Sequence, residues 1–183
     1  ERFGWAARLD LAMLEQSLEH LRRHPRPLAL SLSAASVRNA QTFAPLLALL
    51  KAHPQEARQL TLELDERHLP AAAELERLSQ VLRELGCGLG LQHFGGRFSL
   101  SVNLTHLGLA YLKLDGCYLH AVDREGDKRL FIEAVYRTTH SIDLPLIAEQ
   151  VETLGELEVL REMGLRGAMG RLFGSPAPWS GDA

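Results

Sequence analysis

Polar and charged side chains recur at the ends of short apolar runs in this sequence. They are Ser31 and Ser33, Glu63, Asp65 and Glu66, Gln92 and His93, Lys113 and Asp115, Glu149 and Glu152, and Arg171. If the runs are parallel strands of a barrel, their carboxyl ends meet at the face where barrel proteins place their sites. Grouped carboxylates suit a hard cation such as Mg²⁺, and a lysine can pair with a phosphate. The pattern therefore favours a metal or phosphate site.

Each of these residues, taken singly, has a simpler interpretation. Asp and Ser at the end of a strand often cap the helix that follows. A lone histidine such as His93 is more often a hydrogen-bonded structural residue, and no second histidine lies at metal-ligand spacing from it. Only the recurrence of polar residues at successive strand ends favours a ligand site.

Strands and helices must alternate to position these residues. Apolar periodicity and Gly or Pro breaks predict helices at 6–23, 43–52, 70–85, 127–142 and 154–163, and strands at 28–32, 60–64, 89–94, 110–114, 145–148 and 167–172. Repeated strand–helix units predict an α/β fold with a parallel sheet. A doubly wound sheet and a (β/α)8 barrel both fit, although a closed barrel needs two more strands. No strand leads into a GxGxxG or P-loop motif, so neither kind of nucleotide site is supported.

Composition excludes several classes of protein. The 183 residues are enough for about one domain, and 20 basic against 23 acidic residues give a net charge of −3. A dedicated DNA-binding protein is usually strongly basic, so we expect no nucleic acid partner. Two cysteines cannot form a disulfide framework, and no apolar run is long enough to span a membrane. We expect a reducing, cytoplasmic environment.

Seven segments occur in an order that one known family shares. They begin at Glu1 (ERFGW), Leu30 (LSLS), Leu62 (LELDE), Gln92 (QHFG), Tyr111 (YLKLD), Ile147 (IAEQVET) and Met169 (MGRLFG). In these segments the chain resembles the EAL domain family, the bacterial cyclic di-GMP phosphodiesterases and their degenerate relatives. The resemblance implies a TIM-like (β/α)8 barrel of the EAL type over residues 1–174, whose first strand and E-A-L motif precede Glu1. Residues 175–183 are predicted to form a flexible tail.

The chain departs from the family pattern where active members hold Mg²⁺ or Mn²⁺. The degenerate positions that the resemblance implies are Ser31, Glu63, Gln92, His93 and Met169. Of these, Ser31 stands for an Asn, Gln92 and His93 for an Asp pair, and Met169 for a Gln, whereas Glu63 is retained. The metals activate water against the phosphodiester, and His prefers softer metals than Mg²⁺. We therefore expect no bound metal and no catalytic residues.

Ligand binding can persist where hydrolysis is lost. The resemblance implies that cyclic di-GMP, with no other cofactor, binds to Gln92, Lys113, Glu149, Glu152 and Phe173. The sequence is most similar to receptor-type, degenerate members, which implies the cytoplasmic module of an inner-membrane protein that controls biofilm adhesion. The expected partners are a regulatory helix, other domains of the same protein and a second copy in a homodimer. A weak metal-dependent phosphodiesterase and a ligand-free scaffold are the alternatives.

Overall fold

Strands and helices alternate in the computed structural model, which describes residues 2–96 and 104–177. The strands are β1 (Leu28–Leu32), β2 (Leu60–Asp65), β3 (Gly88–Phe94), β4 (Tyr111–Leu114), β5 (Leu146–Ala148) and β6 (Gly167–Ala168). The helices are α1 (Arg2–Arg23), α2 (Ala34–Val37), α3 (Ala40–Ala52), α4 (Pro54–Ala57), α5 (Ala72–Glu84), α6 (Leu104–Leu107), α7 (Gly116–Leu119), α8 (Gly126–His140) and α9 (Leu154–Glu162). Within these described residues, 3₁₀ helices cover Glu66–His68 and Arg171–Phe173.

The strands are hydrogen-bonded neighbours in sequence order, from β1 to β6. The pairs β1–β2, β4–β5 and β5–β6 are parallel. A doubly wound sheet reverses its strand order at a switch point, whereas successive strands of a (β/α)8 barrel follow one another as they do here. The predicted α/β class with a parallel, barrel-type sheet is confirmed, and the doubly wound alternative does not fit.

The chain divides into two units, and the first comprises Glu1–Leu91 and Asn103–Ala110. In this unit α1 buries Leu14, Leu18 and Leu21, which are apolar residues at the predicted helical spacing. The Asp10 carboxylate of α1 accepts hydrogen bonds from the Ser33 amide at 2.8 Å and from the Ser33 and Ser36 hydroxyls at 2.6 Å each. It therefore fixes the start of α2 directly after β1.

The second unit comprises Gln92–Val102 and Tyr111–Ala183. Its core includes Leu112 and Leu114 of β4 and Ala148 of β5, all of which are fully buried. The Glu149 amide donates to the Leu114 carbonyl at 3.1 Å, so the chain leaves β5 still attached to β4. The positions of these strands set the positions of the polar residues that follow them.

The structure corrects several predicted boundaries. The last strand was predicted over 167–172, but β6 ends at Ala168 and Arg171 begins a 3₁₀ helix. The strand ends early because Gly170 adopts φ +151°, which leaves extended strand geometry. The short helices α2, α4, α6 and α7 were not predicted, since four residues are too few to show a period.

Two predictions about the whole chain have no structural test. The boundary at residue 174 stays a prediction, as does the flexible tail over 175–183, of which residues 178–183 lie outside the described part. Among the residues that the structure describes, no helix combines the length and the hydropathy needed to cross a bilayer.

Candidate ligand-binding site

A cavity of about 890 Å³ opens in the second unit, beyond the carboxyl ends of β3, β5 and β6. Ligand pockets typically enclose roughly 300–1,000 Å³. The lining residues are Gln92, His93, Glu149, Gln150, Glu152, Ala168, Met169, Gly170, Arg171, Phe173, Gly174, Ser175 and Pro176. Of the predicted ligand-binding residues, the structure brings Gln92, Glu149, Glu152 and Phe173 together here.

His93 contacts two carboxylates at the edge of this cavity. Its backbone N–H donates to Glu149 Oε2 at 3.0 Å, and its ring Nδ1 lies 3.3 Å from the same oxygen and 3.4 Å from Asp115 Oδ2. Nδ1 is buried, and neither carboxylate is oriented to hydrogen-bond with it. The backbone of His93 is left-handed, with φ +54°. The imidazole thus lies against both acidic groups.

Backbone hydrogen bonds fix the loop that carries Glu149 and Glu152. The Val151 amide donates to the Met169 carbonyl at 3.0 Å, and the Leu172 amide donates to the Val151 carbonyl at 3.1 Å. A Cβ at Gly170 would lie 2.3 Å from both the amide nitrogen and the carbonyl oxygen of Val151. Only glycine therefore allows the two loops to approach this closely.

Glu156, which the sequence analysis did not single out, holds the backbone beside Glu152. Its carboxylate accepts from the amides of Glu152 at 3.0 Å, Thr153 at 3.1 Å and Ala121 at 2.9 Å. Thr153 accepts from the Glu156 amide in return, which completes a capping box. Burial alone would raise the pKa of Glu156, but these N–H donors outweigh it and lower the pKa. The T-x-x-E spacing of Thr153 and Glu156 could have predicted this capping box from the sequence.

Three predicted residues lie apart from the cavity lining. Ser31 and Glu63 belong to the first unit, where they are register partners in β1 and β2 and the Ser31 hydroxyl donates to Glu63 Oε2 at 3.2 Å. Lys113 is buried in β4, with its ammonium nitrogen 5.8 Å from the centre of the Tyr111 ring. It is not among the lining residues, so its pairing with a phosphate stays a prediction.

Two cavity residues were missed as ligand-binding candidates. Gln150 lines the cavity with a left-handed backbone at φ +57°. Arg171 was noted as a polar residue at a strand end but was not assigned to the ligand. The sequence feature that could have identified Arg171 was its position close to Phe173 in the segment MGRLFG.

Three side chains of this site weaken its fit to a hard divalent cation. Gln92 offers a neutral amide, Met169 a thioether, and His93 places an imidazole nitrogen against Asp115 and Glu149. Mg²⁺ prefers oxygen ligands in an octahedral arrangement. In the described ranges, no three His, Cys, Asp or Glu side chains are grouped in a way that could hold a metal ion.

Comparisons with known proteins agree on one family. The family model of the EAL domain matches residues 1–176. The oxygen sensor protein DosP of Escherichia coli is 30% identical over 156 residues, which are 85% of this chain and 20% of that protein. The PaMucR phosphodiesterase, solved as a c-di-GMP complex, has a TM-score of 0.85 and 26% identity, covering 97% of this chain and 75% of that one.

A further structural neighbour is LapD of Vibrio cholerae, solved as an S helix-GGDEF-EAL protein bound to c-di-GMP. Its TM-score is 0.83 at 20% identity, covering 91% of this chain and 42% of that one, so it supports the fold alone. The chain spans about a quarter of the length of the curated relatives that it matches. Because the family model extends over nearly the whole sequence, this chain belongs to the EAL domain family.

Proposed function

We propose that this EAL domain binds cyclic di-GMP and does not hydrolyse it. The observation that carries the proposal is the placement of His93 Nδ1, 3.3 Å from Glu149 and 3.4 Å from Asp115. An imidazole at these distances takes up the space that a cation bridging the two carboxylates would need. Hydrolysis by the family's mechanism depends on metal-activated water, so the replacement favours binding without turnover.

The cavity offers chemistry that suits a guanine nucleotide. Glu149 and Glu152 are acceptors for the N–H donors of guanine or the hydroxyls of ribose. Phe173 is 56% exposed and lines the cavity, so its ring is available to pack against a base. Gln92 can donate and accept in the place where the family has an aspartate. The c-di-GMP complex of the PaMucR phosphodiesterase supports this choice of ligand.

Weak phosphodiesterase activity is the second candidate. Carboxylates that could bind a metal ion remain in the chain: they are those of Glu63, which is buried, Asp115 and Glu149. Relatives include proteins named as cyclic di-GMP phosphodiesterases, such as PdeF of Escherichia coli. A ligand-free scaffold is less favoured. Such a scaffold would need neither an open cavity lined by hydrogen-bond acceptors nor an exposed aromatic ring at that cavity.

The domain's role in a longer protein is part of the same proposal. The LapD neighbour joins its EAL domain to an S helix and a GGDEF domain. By analogy, we place this chain in a receptor whose cytoplasmic module sits in an inner-membrane protein that regulates biofilm adhesion. Binding would act through a regulatory helix and a homodimer.

Calorimetric titration of cyclic di-GMP into this protein tests the proposal, once with Mg²⁺ and once with a chelator. The nucleotide is then recovered and separated by chromatography. Saturable binding under both conditions, with the ligand returned intact, is the expected result. Recovery of the linear dinucleotide would establish the enzyme instead, and absence of binding would leave the scaffold.

A matched pair of variants locates the binding event. Phe173→Ala removes the exposed ring of the cavity and should weaken binding about tenfold, in line with the value of one stacking contact. Leu130→Ala removes a side chain of α8 that is 66% exposed and lies outside the cavity lining. It should bind as the wild type does, and equal losses in both variants would contradict this location.

A further inference from the structure

We infer that the Arg171 guanidinium binds a phosphate of the cyclic dinucleotide and supplies positive charge that the family draws from metal ions. This inference rests on the proposed function, since it assigns one contact of that ligand. It differs from the expectation that Lys113 makes this contact, because Lys113 is buried in β4 and does not line the cavity.

The charges of the cavity lining favour such a contact. Among the described lining residues, Arg171 is the one Arg or Lys, whereas Glu149 and Glu152 bring two carboxylates. A cyclic dinucleotide carries two phosphodiester charges, so it enters a cavity whose permanent charges are on balance unfavourable. Arg171 is exposed, and in the part of the chain that the structure describes no carboxylate pairs with it. Its guanidinium is therefore available to an anion.

The backbone around Arg171 is held in place before ligand arrives. The neighbouring Leu172 amide donates to the Val151 carbonyl at 3.1 Å, and the Gly174 amide donates to the Arg171 carbonyl at 3.1 Å. Gly170 on the other side is fixed by its close approach to Val151. The Arg171 side chain thus extends from a hydrogen-bonded 3₁₀ turn that also carries Phe173, and a backbone fixed in advance reduces the entropy lost on binding.

The hydrogen-bond donors and acceptors of the cavity favour phosphate over guanine as the partner of Arg171. Carboxylates only accept hydrogen bonds, so Glu149 and Glu152 match the donors of guanine and ribose and repel phosphate. A guanidinium only donates, and it pairs with two oxygens of a phosphate in a forked geometry. A lysine would keep the charge but lose that fork.

The test measures affinity for cyclic di-GMP by calorimetry, with the complete domain at low and at high salt. Arg171→Ala should bind about tenfold to a hundredfold more weakly at low salt, the usual value of a charge-assisted hydrogen bond. Arg171→Lys should recover part of the loss. The affinity of the wild type should fall with added salt, and Arg171→Ala should show a smaller fall, because one screened ion contact is missing.

Arg22→Ala is the matched control. Arg22 is an exposed arginine in the last turn of α1, in the first unit, and its removal changes the net charge equally. It should leave affinity and salt dependence unchanged. Thermal melting should be the same for all variants, since both arginines are exposed.

The outcomes separate this inference from the proposed function. If the wild type does not bind, the proposed function fails. If the wild type binds and Arg171→Ala binds equally well, or if Arg22→Ala loses as much, the assignment of Arg171 is wrong. A loss of affinity with unchanged salt dependence would also overturn it, because that result indicates a contact to a neutral base edge.

Discussion

His93 contacts Glu149 through both its backbone and its ring. The backbone N–H donates to Glu149 Oε2 at 3.0 Å, and Nδ1 lies 3.3 Å from that oxygen. The two residues are 56 positions apart in the sequence. The backbone of His93 is left-handed, at φ +54°. A residue with a Cβ adopts a positive φ only at a cost in conformational free energy, so the backbone at His93 is strained.

Removing the imidazole in two ways separates that strain from the side-chain contact. We expect His93→Gly to be more stable than His93→Ala by about 1 kcal/mol, because glycine adopts positive φ without the steric cost of a Cβ. The free energy of unfolding in urea measures the difference. At His106 in helix α6 the order should reverse, since glycine is the poorer helix former. Equal stabilities at His93 would mean that the strain is relieved in solution.

Restoring carboxylates at the degenerate positions should restore cation binding. The double substitution Gln92→Asp with His93→Asp puts two acidic groups beside Asp115 and Glu149, where the wild type has an amide and an imidazole. We expect the affinity for Mn²⁺ to rise at least about tenfold, because oxygen ligands and added negative charge both favour a hard cation. Loss of the free-Mn²⁺ signal in electron paramagnetic resonance measures it.

The control for this experiment carries the same changes away from the cavity. Gln55→Asp with His106→Asp alters two exposed residues of the first unit. It should not change Mn²⁺ affinity. A gain as large as that of the cavity variant would show that overall charge, and not the site, controls the binding.

Gly170→Ala should disrupt the cavity. The new Cβ would lie 2.3 Å from two backbone atoms of Val151, and neither can move without breaking the hydrogen bonds between the loops. We expect a loss of more than about 3 kcal/mol in unfolding free energy, since overpacking and backbone strain combine. Gly174→Ala is the matched control, because φ there is +130° but no atom of the described residues lies within 4 Å of the added Cβ. Similar losses at both positions would assign the effect to φ alone.

Glu156 should make stability depend on pH in acid. Its folded pKa is lowered, since the N–H groups of Glu152, Ala121 and Thr153 favour the ionised form despite burial. The unfolded chain then binds the proton more readily, so the stabilisation is complete above the ordinary value of 4.5 and is lost as pH falls through the folded pKa. At pH 7 we expect Glu156→Gln to cost about 1–3 kcal/mol.

Urea unfolding of Glu156→Gln at pH 7 and below pH 4.5 checks this sign, with the gap to the wild type shrinking in acid. Glu158→Gln changes an exposed glutamate of the same helix and should have little effect at either pH. A gap that stays constant or widens in acid would contradict the role of the ionised carboxylate.

The two cysteines should differ in reactivity. Cys87 is buried, and burial raises the pKa of its thiol to about 12, so almost no thiolate forms at neutral pH. Cys117 is exposed, although partial burial and Asp115 also raise its pKa. We expect an alkylating reagent at pH 8 to label Cys117 slowly and Cys87 only after unfolding. Mass spectrometry of the labelled peptides distinguishes them, and Cys117→Ser should leave the folded protein unlabelled.

The elements whose signals are local could be predicted from the sequence. Leu14, Leu18 and Leu21 recur at the helical period, and they are the residues that α1 buries. The alternation of strands and helices fixed the α/β class, and the order of seven motifs identified the family. Thr153 and Glu156 lie three residues apart, so their capping box was also readable from spacing. Such features depend on neighbours in the chain.

The contacts between distant segments depend on how the chain folds in three dimensions. No local pattern predicts that Asp10 caps the helix after β1, or that His93 lies between Asp115 and Glu149. The turn that follows β6 has the same origin, because Gly170 lies close against the backbone of Val151, a residue of a different loop. These positions are set by the way in which whole helices and strands pack against one another. The order of residue types along the chain does not describe that packing.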